Sequence, residues 1–270
     1  MKVTRFAPSP TGNLHIGGVR TALFNYVFSR QSGGLFLIRV EDTDRERSKK
    51  EYEEDIISGL EWLGISPDKE PIRQSERSDI YQKAAEKLIN SGNAYWCDCS
   101  PDDLEEMRTQ QAAAGTKPMY DGRSRDLGLE RSDNTVLRFA TPLEGETIVN
   151  DLIRGEITFR NSELDDLILI RSDGTPTYHF CNVVDDFDQG VTTVIRGEDH
   201  ISNTPRQIHI QKALGYPDLE YAHLPLVLGE DKKRLSKRHA ATSLNAYKEM
   251  GFTKETIINA LALLLSLIHI

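Results

Sequence analysis

Residues 2–40 hold the feature that most narrows the fold. A short apolar run with one arginine, KVTRF, is followed by PSPTG, NLHIGG, VRTALFNYVFSR and, past Gly33 and Gly34, LFLIRV. Proline fixes φ and glycine permits positive φ, so PSPTG is turn chemistry between regular elements. From Gly18 to Arg30 the apolar spacing is helical, with Val19, Ala22 and Tyr26 on one face, and the two glycines stop the helix. LFLIRV, Leu35 to Val40, is a continuous apolar strand that ends in EDTD, Glu41 to Asp44. Strand, glycine-rich turn, helix and strand make a βαβ unit. A strand this apolar belongs inside a parallel sheet, so the expected class is α/β.

Downstream, Ser48 is expected to cap a helix with Glu51 as its capping-box partner, and Tyr52, Ile56, Leu60 and Leu63 line that helix's face. A second helix covers Ser78 to Asn90 and stops at Gly92. The character changes near Tyr95. SPDDLEEMRTQQAAAG is a helix with Ser100 as cap and Pro101 in its first turn, followed by the strand-like pieces TVLRFAT, ETIVNDLI and EITF. This reads as an inserted α+β unit. The α/β pattern returns near Leu167 with LILIRSDGTPTYHF, VTTVIRGEDH and the helix NTPRQIHIQKALG. The expected divisions are 1–93, 94–166, 167–232 and 233–270.

Composition limits the function classes. The chain has 270 residues, 38% hydrophobic, which is enough for a sizeable core. Thirty-three basic against 42 acidic residues give a net charge of −9, which argues against general adhesion to nucleic acid but leaves room for a local basic face. Cys97, Cys99 and Cys181 are too few and too unevenly spaced for a disulfide framework. MKVTRFAPSP has no apolar leader core, and ALALLLSLIHI has the length of a buried helix rather than a membrane span. A cytoplasmic protein is expected.

Two segments carry chemistry. At a strand-to-helix turn the first helical N–H groups point outward, and the helix dipole favours an anion there. His15 stands where it could donate to a phosphate, although an ordinary Pro/Gly turn with a surface histidine fits the same residues. The loop is neither a P-loop nor a G-x-G-x-x-G fingerprint. Far downstream, EDKKRLSKRHAA is either a solvated basic turn or a loop that brings Lys237 to charge developing on a phosphate.

PSPTGNLHIGG resembles the histidine signature of class I aminoacyl-tRNA synthetases, and RLSKR resembles their lysine-serine-lysine signature. With RVEDTDRERS, PTYHFCNVVDD and VIRGEDHISNTPRQ, the chain is similar to the bacterial glutamyl-tRNA synthetases up to about Leu264. The resemblance implies a Rossmann-like, parallel-sheet catalytic domain split by an α+β insertion that binds the acceptor stem. It implies activation of L-glutamate by ATP with magnesium, then transfer to the 3′ end of tRNA(Glu), by a monomer with no membrane partner. It makes His15 and Lys237 catalytic and places ATP on Pro8, Ser9, Thr11, His15, Gly17, Asp199 and Lys237. It assigns glutamate to Arg5, Ser9, Glu41, Tyr178, Asn182 and Arg196. Two arginines suit a substrate with two carboxylates, since a guanidinium can grip each through paired hydrogen bonds. Arg5 is odd as structure inside an apolar strand. Tyr178 by itself fits core or ligand. Arg123, Arg125 and Arg138 are candidates for acceptor-stem phosphates, or a solvated face.

The chain departs from the family at several points. Gly18 and Arg234 replace a histidine and a lysine of the two signatures. Some relatives bind zinc in the insertion. Here Cys97 and Cys99 are present, but Ser124 and Asp126 stand where the second ligand pair would be, so no zinc is expected. The relatives continue into a helical anticodon-binding domain, whereas LSLIHI follows here, so a truncated chain or a foreign tail is expected. A glutamyl-queuosine tRNA(Asp) synthetase, which is naturally short, and a non-catalytic tRNA- and ATP-binding fragment are the alternatives. An ATP-dependent ligase for another small acid fits the arginines but not the insertion.

Overall fold

A computed structural model describes residues 1–227 and 243–266. The first half of the chain contains β1 (Val3–Phe6), α1 (Ile16–Gln31), β2 (Leu35–Val40), α2 (Lys50–Trp62), β3 (Ile72–Arg73), α3 (Ser78–Asn90), β4 (Ala94–Cys97), α4 (Pro101–Ala113) and β5 (Val136–Phe139). Then come β6 (Glu146–Asp151), β7 (Gly155–Arg160), β8 (Ile168–Ile170), α5 (Tyr178–Asp188), β9 (Thr193–Gly197) and α6 (Thr204–Ala213). The last described elements are β10 (Glu220–Leu224), α7 (Leu244–Glu249) and α8 (Lys254–Ser266).

The opening βαβ unit forms as its sequence predicts. β1 and β2 pair in parallel from Val3 opposite Leu35 to Phe6 opposite Ile38, and β3 extends the ladder beside Arg39 and Val40. Val19 and Ala22 of α1 are fully buried against Phe6, Phe36 and Ile38. Gly33 takes φ 61° after the helix, and the Leu35 N–H donates to the Lys2 carbonyl at 3.1 Å. A Cβ on Gly34 would overlap that carbonyl, so only glycine permits this close return.

A second parallel pair, β9 and β10, runs from Thr193 opposite Glu220 to Gly197 opposite Leu224, with the β6–β7 hairpin at its far edge. The two halves meet at one rung. The Val3 N–H donates to Thr192 Oγ1 and the Thr192 N–H donates to the Val3 carbonyl, each at 2.9 Å. Strand order therefore runs outward in both directions from this seam: β1, β2, β3 one way and β9, β10, β6, β7 the other. The crevice beyond the carboxyl ends of the strands at such a switch point is where open α/β sheets bind ligands.

The remaining strands form an antiparallel sheet, β4-β5-β8, with Ala94 opposite Phe139 and Leu137 opposite Ile170. Ser100 caps α4 in a reciprocal box with Asp103, and Met107 packs with Cys97 and Tyr120. Sheet membership does not follow the 94–166 division. The β6–β7 hairpin, whose Thr147, Val149 and Asp151 alternate inward, joins the main sheet, and β8 completes the small one. Ser48 does not cap α2. That helix starts at Lys50, while the Ser48 N–H donates to the Asp44 carbonyl at 2.9 Å in the preceding turn. The apolar segment near the end is amphipathic in place: Ile257 and Leu261 of α8 enter the core of α1 and β2, and Leu263 is 58% exposed.

Candidate active site

A cavity of about 800 Å³ opens at the carboxyl ends of β1 and β9. Pro8, Ser9, His15 and Gly17 line one side, and Arg5, Glu41, Tyr178, Asn182, Arg196 and Asp199 line the rest. Thr11 is not among the lining residues. Its N–H closes a tight turn on the Ser9 carbonyl at 2.8 Å. Lys237 and Arg234 lie outside the described residues.

His15 is the N-cap of α1, and its Nδ1 accepts from the Gly18 N–H at 3.1 Å. In a neutral ring this puts the proton on Nε2 and makes Nε2 the donor. A Cβ on Gly17 would stand 3.1 Å from Nδ1 and 3.2 Å from Cε1, so glycine lets the ring lie over the helix end. The Glu41 N–H donates to the Pro8 carbonyl at 2.9 Å, which ties the loop to the end of β2. The Leu14 N–H donates to Asp55 Oδ2 at 2.7 Å, while Asn245 Nδ2 donates to Oδ1 at 2.5 Å. The cavity also meets Arg20, which sequence reasoning missed. Its guanidinium, lowered by burial against the opposing pull of Glu198, donates to the Pro225 carbonyl.

The opposite wall is a buried charge network. Arg5 donates through Nε to Asp186 Oδ1 at 2.9 Å. Arg39, fully buried, donates to the same oxygen at 2.6 Å and to Asn182 Oδ1 at 2.7 Å, and its Nη2 reaches Glu41 Oε1 at 3.4 Å. Burial raises the Glu41 carboxyl above its ordinary range while Arg39 and Arg5 oppose the shift. Burial acts on Asp186 in the same sense, but the two arginines prevail and its net shift is downward. Asn182 Nδ2 donates to the Tyr178 carbonyl at 3.2 Å, and the Tyr178 hydroxyl meets His200 Nδ1 at 3.1 Å. Arg39 and Asp186 are absent from the sequence-derived site. The cue was available, because Arg39 is an arginine inside an apolar strand just as Arg5 is.

Arg196 differs from Arg5. It is 6% exposed and donates to neutral acceptors: His223 Nε2 at 3.1 Å, Gln207 Oε1 at 2.7 Å and Thr204 Oγ1 at 2.9 Å. Among the described residues no carboxylate lies within ion-pair distance of it. Burial pushes its guanidinium below the ordinary value. A cation so placed costs several kcal/mol unless an anion joins it. The cavity therefore offers a helix N-terminus for one anion and an uncompensated guanidinium for another.

The candidate RNA contacts diverge. Arg123 is exposed and pairs with Asp121 at 2.9 Å. Arg125 is held by Asp166, its Nε donating at 2.6 Å. Arg138 is 4% exposed, donates to the Asp166 carbonyl at 2.7 Å and stacks 3.9 Å over Tyr120, so it serves the interior beside the β4-β5-β8 sheet and not a phosphate surface. Near Cys97 the partners are the Tyr120 hydroxyl at 3.2 Å and the Ser124 hydroxyl at 3.5 Å. A thiol, a phenol and an alcohol are a poor donor set for zinc. Among the described residues no group of three or more His, Cys, Asp or Glu is placed to hold a metal ion.

The family model for the catalytic domain of class I tRNA synthetases (E and Q) matches residues 2–268. The chain belongs to this family. A glutamate–tRNA ligase of Thermodesulfovibrio yellowstonii is 54% identical over 96% of this chain and 56% of its own length. One from Geobacter sulfurreducens is 55% identical over 95% of this chain and 55% of its own length. This class I synthetase chain thus spans a little over half the length of the curated relatives it matches. The crystal structure of a glutamate tRNA ligase from Elizabethkingia meningosepticum, in complex with its amino acid, superposes with a TM-score of 0.80 at 38% identity, covering 93% of this chain and 53% of that one. A Mycobacterium tuberculosis methionyl-tRNA synthetase, at 13% identity and a TM-score of 0.61, shares the fold. No helix among the described residues of this synthetase chain is long and apolar enough to cross a membrane.

Proposed function

We propose that the chain carries the amino acid-activating part of a glutamate–tRNA ligase. ATP lies with its phosphates at the N-terminus of α1, where the helix N–H groups, His15 and Arg20 face the cavity. This donor set suits phosphate oxygens and not a metal cation, so magnesium comes held by the phosphates and water. The observation that carries the reading is Arg196, a buried cation with neutral protein partners in a cavity already rich in positive charge. An acidic side chain satisfies it, and glutamine, being neutral, does not. Glu41 takes the α-ammonium, with Tyr178 and Asn182 beside it.

The α-carboxylate then attacks the α-phosphorus of ATP, and pyrophosphate leaves. The ribose hydroxyl at the 3′ end of tRNA(Glu) next takes the glutamyl group from the adenylate. Neither step needs a covalent enzyme nucleophile. Rate comes from orientation and from charge placed where the transition state needs it. Lys237, which lies outside the described residues, supplies charge to the phosphates in this reading. Arg123 is the acceptor-stem candidate that remains at the surface.

The test is glutamate-dependent ATP–pyrophosphate exchange, with and without tRNA(Glu), beside a Lys237→Ala variant. Exchange that requires glutamate and is lost in the variant supports the reading. Exchange driven equally by glutamine or aspartate overturns it.

A further inference from the structure

We propose that His223, held by Asp151, is a positioning residue for the Arg196 guanidinium and so for grip on the substrate's side-chain carboxylate. This rests on the substrate reading above. The chain of contacts begins at the hairpin between β6 and β7. Asp151 Oδ1 accepts from the N–H groups of Ile153 at 3.0 Å, Arg154 at 2.9 Å and His223 at 3.2 Å. These three bonds fix the carboxylate and aim Oδ2 at the imidazole, whose Nδ1 lies 2.6 Å away. The ionised carboxylate only accepts, so Nδ1 carries the proton and Nε2 presents its lone pair. That lone pair meets Arg196 Nε at 3.1 Å.

Both residues are buried, His223 completely and Asp151 to within 5%. The ring also lies parallel to Tyr221 on the same strand, with centroids 6.3 Å apart and a 4° interplanar angle, so it has little freedom to turn. Gln207 and Thr204 hold the two Nη atoms. With Nε pinned by His223, the guanidinium plane is set from three sides. Arg196 lines the cavity, which is where an anion can meet the guanidinium hydrogens left over from these bonds. A ring protonated on Nε2 would set a second donor against the Nε–H and turn the plane, and a flipped ring would leave that N–H facing carbon.

Asparagine and glutamine separate this role from packing. Asn at 223 can mimic Nδ1 and keep a donor for Asp151, but it leaves Arg196 Nε without its acceptor. Gln reaches the Nε2 position and restores an acceptor. Using the full chain, glutamate binding by calorimetry, KM values for glutamate and ATP in tRNA-dependent exchange, and unfolding midpoints are measured for wild type, His223→Asn and His223→Gln. His223→Asn is expected to weaken glutamate roughly tenfold or more, as for loss of a hydrogen bond to a charged group. Its KM for ATP should stay near wild type, and His223→Gln should recover most of the loss. The imidazole nitrogens, observed by 15N NMR in labelled wild type, should report a neutral ring with its proton on Nδ1. Equal weakening in both variants, no weakening in either, or a ring protonated on Nε2 would overturn the role. A wild-type chain that binds ATP but not glutamate would instead overturn the substrate reading, while the nitrogen spectrum would still judge the ring.

Discussion

At the scale of single residues, the cavity is built by making polar groups buried and then deciding which of them stay charged. Arg39 and Asp186 are held as ions by the bond they share, and Arg196 is a buried cation whose hydrogen-bond partners are neutral. The neighbouring histidines go the other way. Burial, with the nearby Arg206 and Arg196, lowers His179 from 6.5 to about 4. Burial and Arg196 lower His200 from 6.5 to about 4, against the pull of Asp199. Between these values the unfolded chain binds protons that the folded chain refuses. Stability contributed by the neutral rings is therefore complete above about pH 6.5 and is lost as pH falls toward about 4. Urea unfolding from pH 7.5 to about 4.5 should show a falling free energy in this window. His179→Phe should flatten the slope, since His179 Nδ1 is buried with no hydrogen-bond partner among the described residues and an apolar ring can replace it. An unchanged slope in that variant would exclude His179 as a contributor.

At the scale of elements, what was legible was what local chemistry decides. The spacing of Val19 and Ala22, the cap at Ser100 and the stop at Gly92 each act within a turn or two, and α1, α4 and α3 form accordingly. Ser48 has the right partner spacing for a cap, but the preceding turn claims its N–H, so the local rule loses to packing. The hairpin assignment was less legible because sheet membership depends on β10, seventy residues away at Tyr221 opposite Asp151. The return from α1 to β2 tests how strictly one element constrains the next. At Gly34 a side chain would strike the Lys2 backbone, whereas at Gly33 it would meet open space and only the φ of 61° penalises it. Gly33→Ala should cost about 1–2 kcal/mol, the left-handed penalty. Gly34→Ala should cost more, because strand backbone must move. Denaturant titration of the two variants checks the order, and equal losses would mean that the close approach relaxes freely.

At the scale of the whole molecule, the site depends on a junction that no local pattern announces. Arg5 was legible because an arginine inside an apolar strand is out of place, and Arg196 through a family resemblance. Asp151, Gln207 and His223 were not, since they gather behind Arg196 only after β6, α6 and β10 have assembled. Arg5 rides on β1 and Arg196 on β9, so their separation is set where these strands meet, at Val3 and Thr192. The Thr192 hydroxyl accepts the Val3 N–H at 2.9 Å, and Val3 is buried. Thr192→Val keeps the shape but leaves that N–H unpaired, which should cost about 1–3 kcal/mol. Because the seam carries both arginines, the same substitution should also weaken glutamate more than it weakens ATP, whose proposed phosphate cradle at the N-terminus of α1 lies within the β1–α1 half. Thr192→Ser retains the hydroxyl and should stay near wild type on both counts. Calorimetric titration with each ligand, beside urea unfolding, separates the cases. A valine variant that loses stability with no selective loss of glutamate would show that the seam holds the sheet together without setting the spacing of the two guanidinium groups.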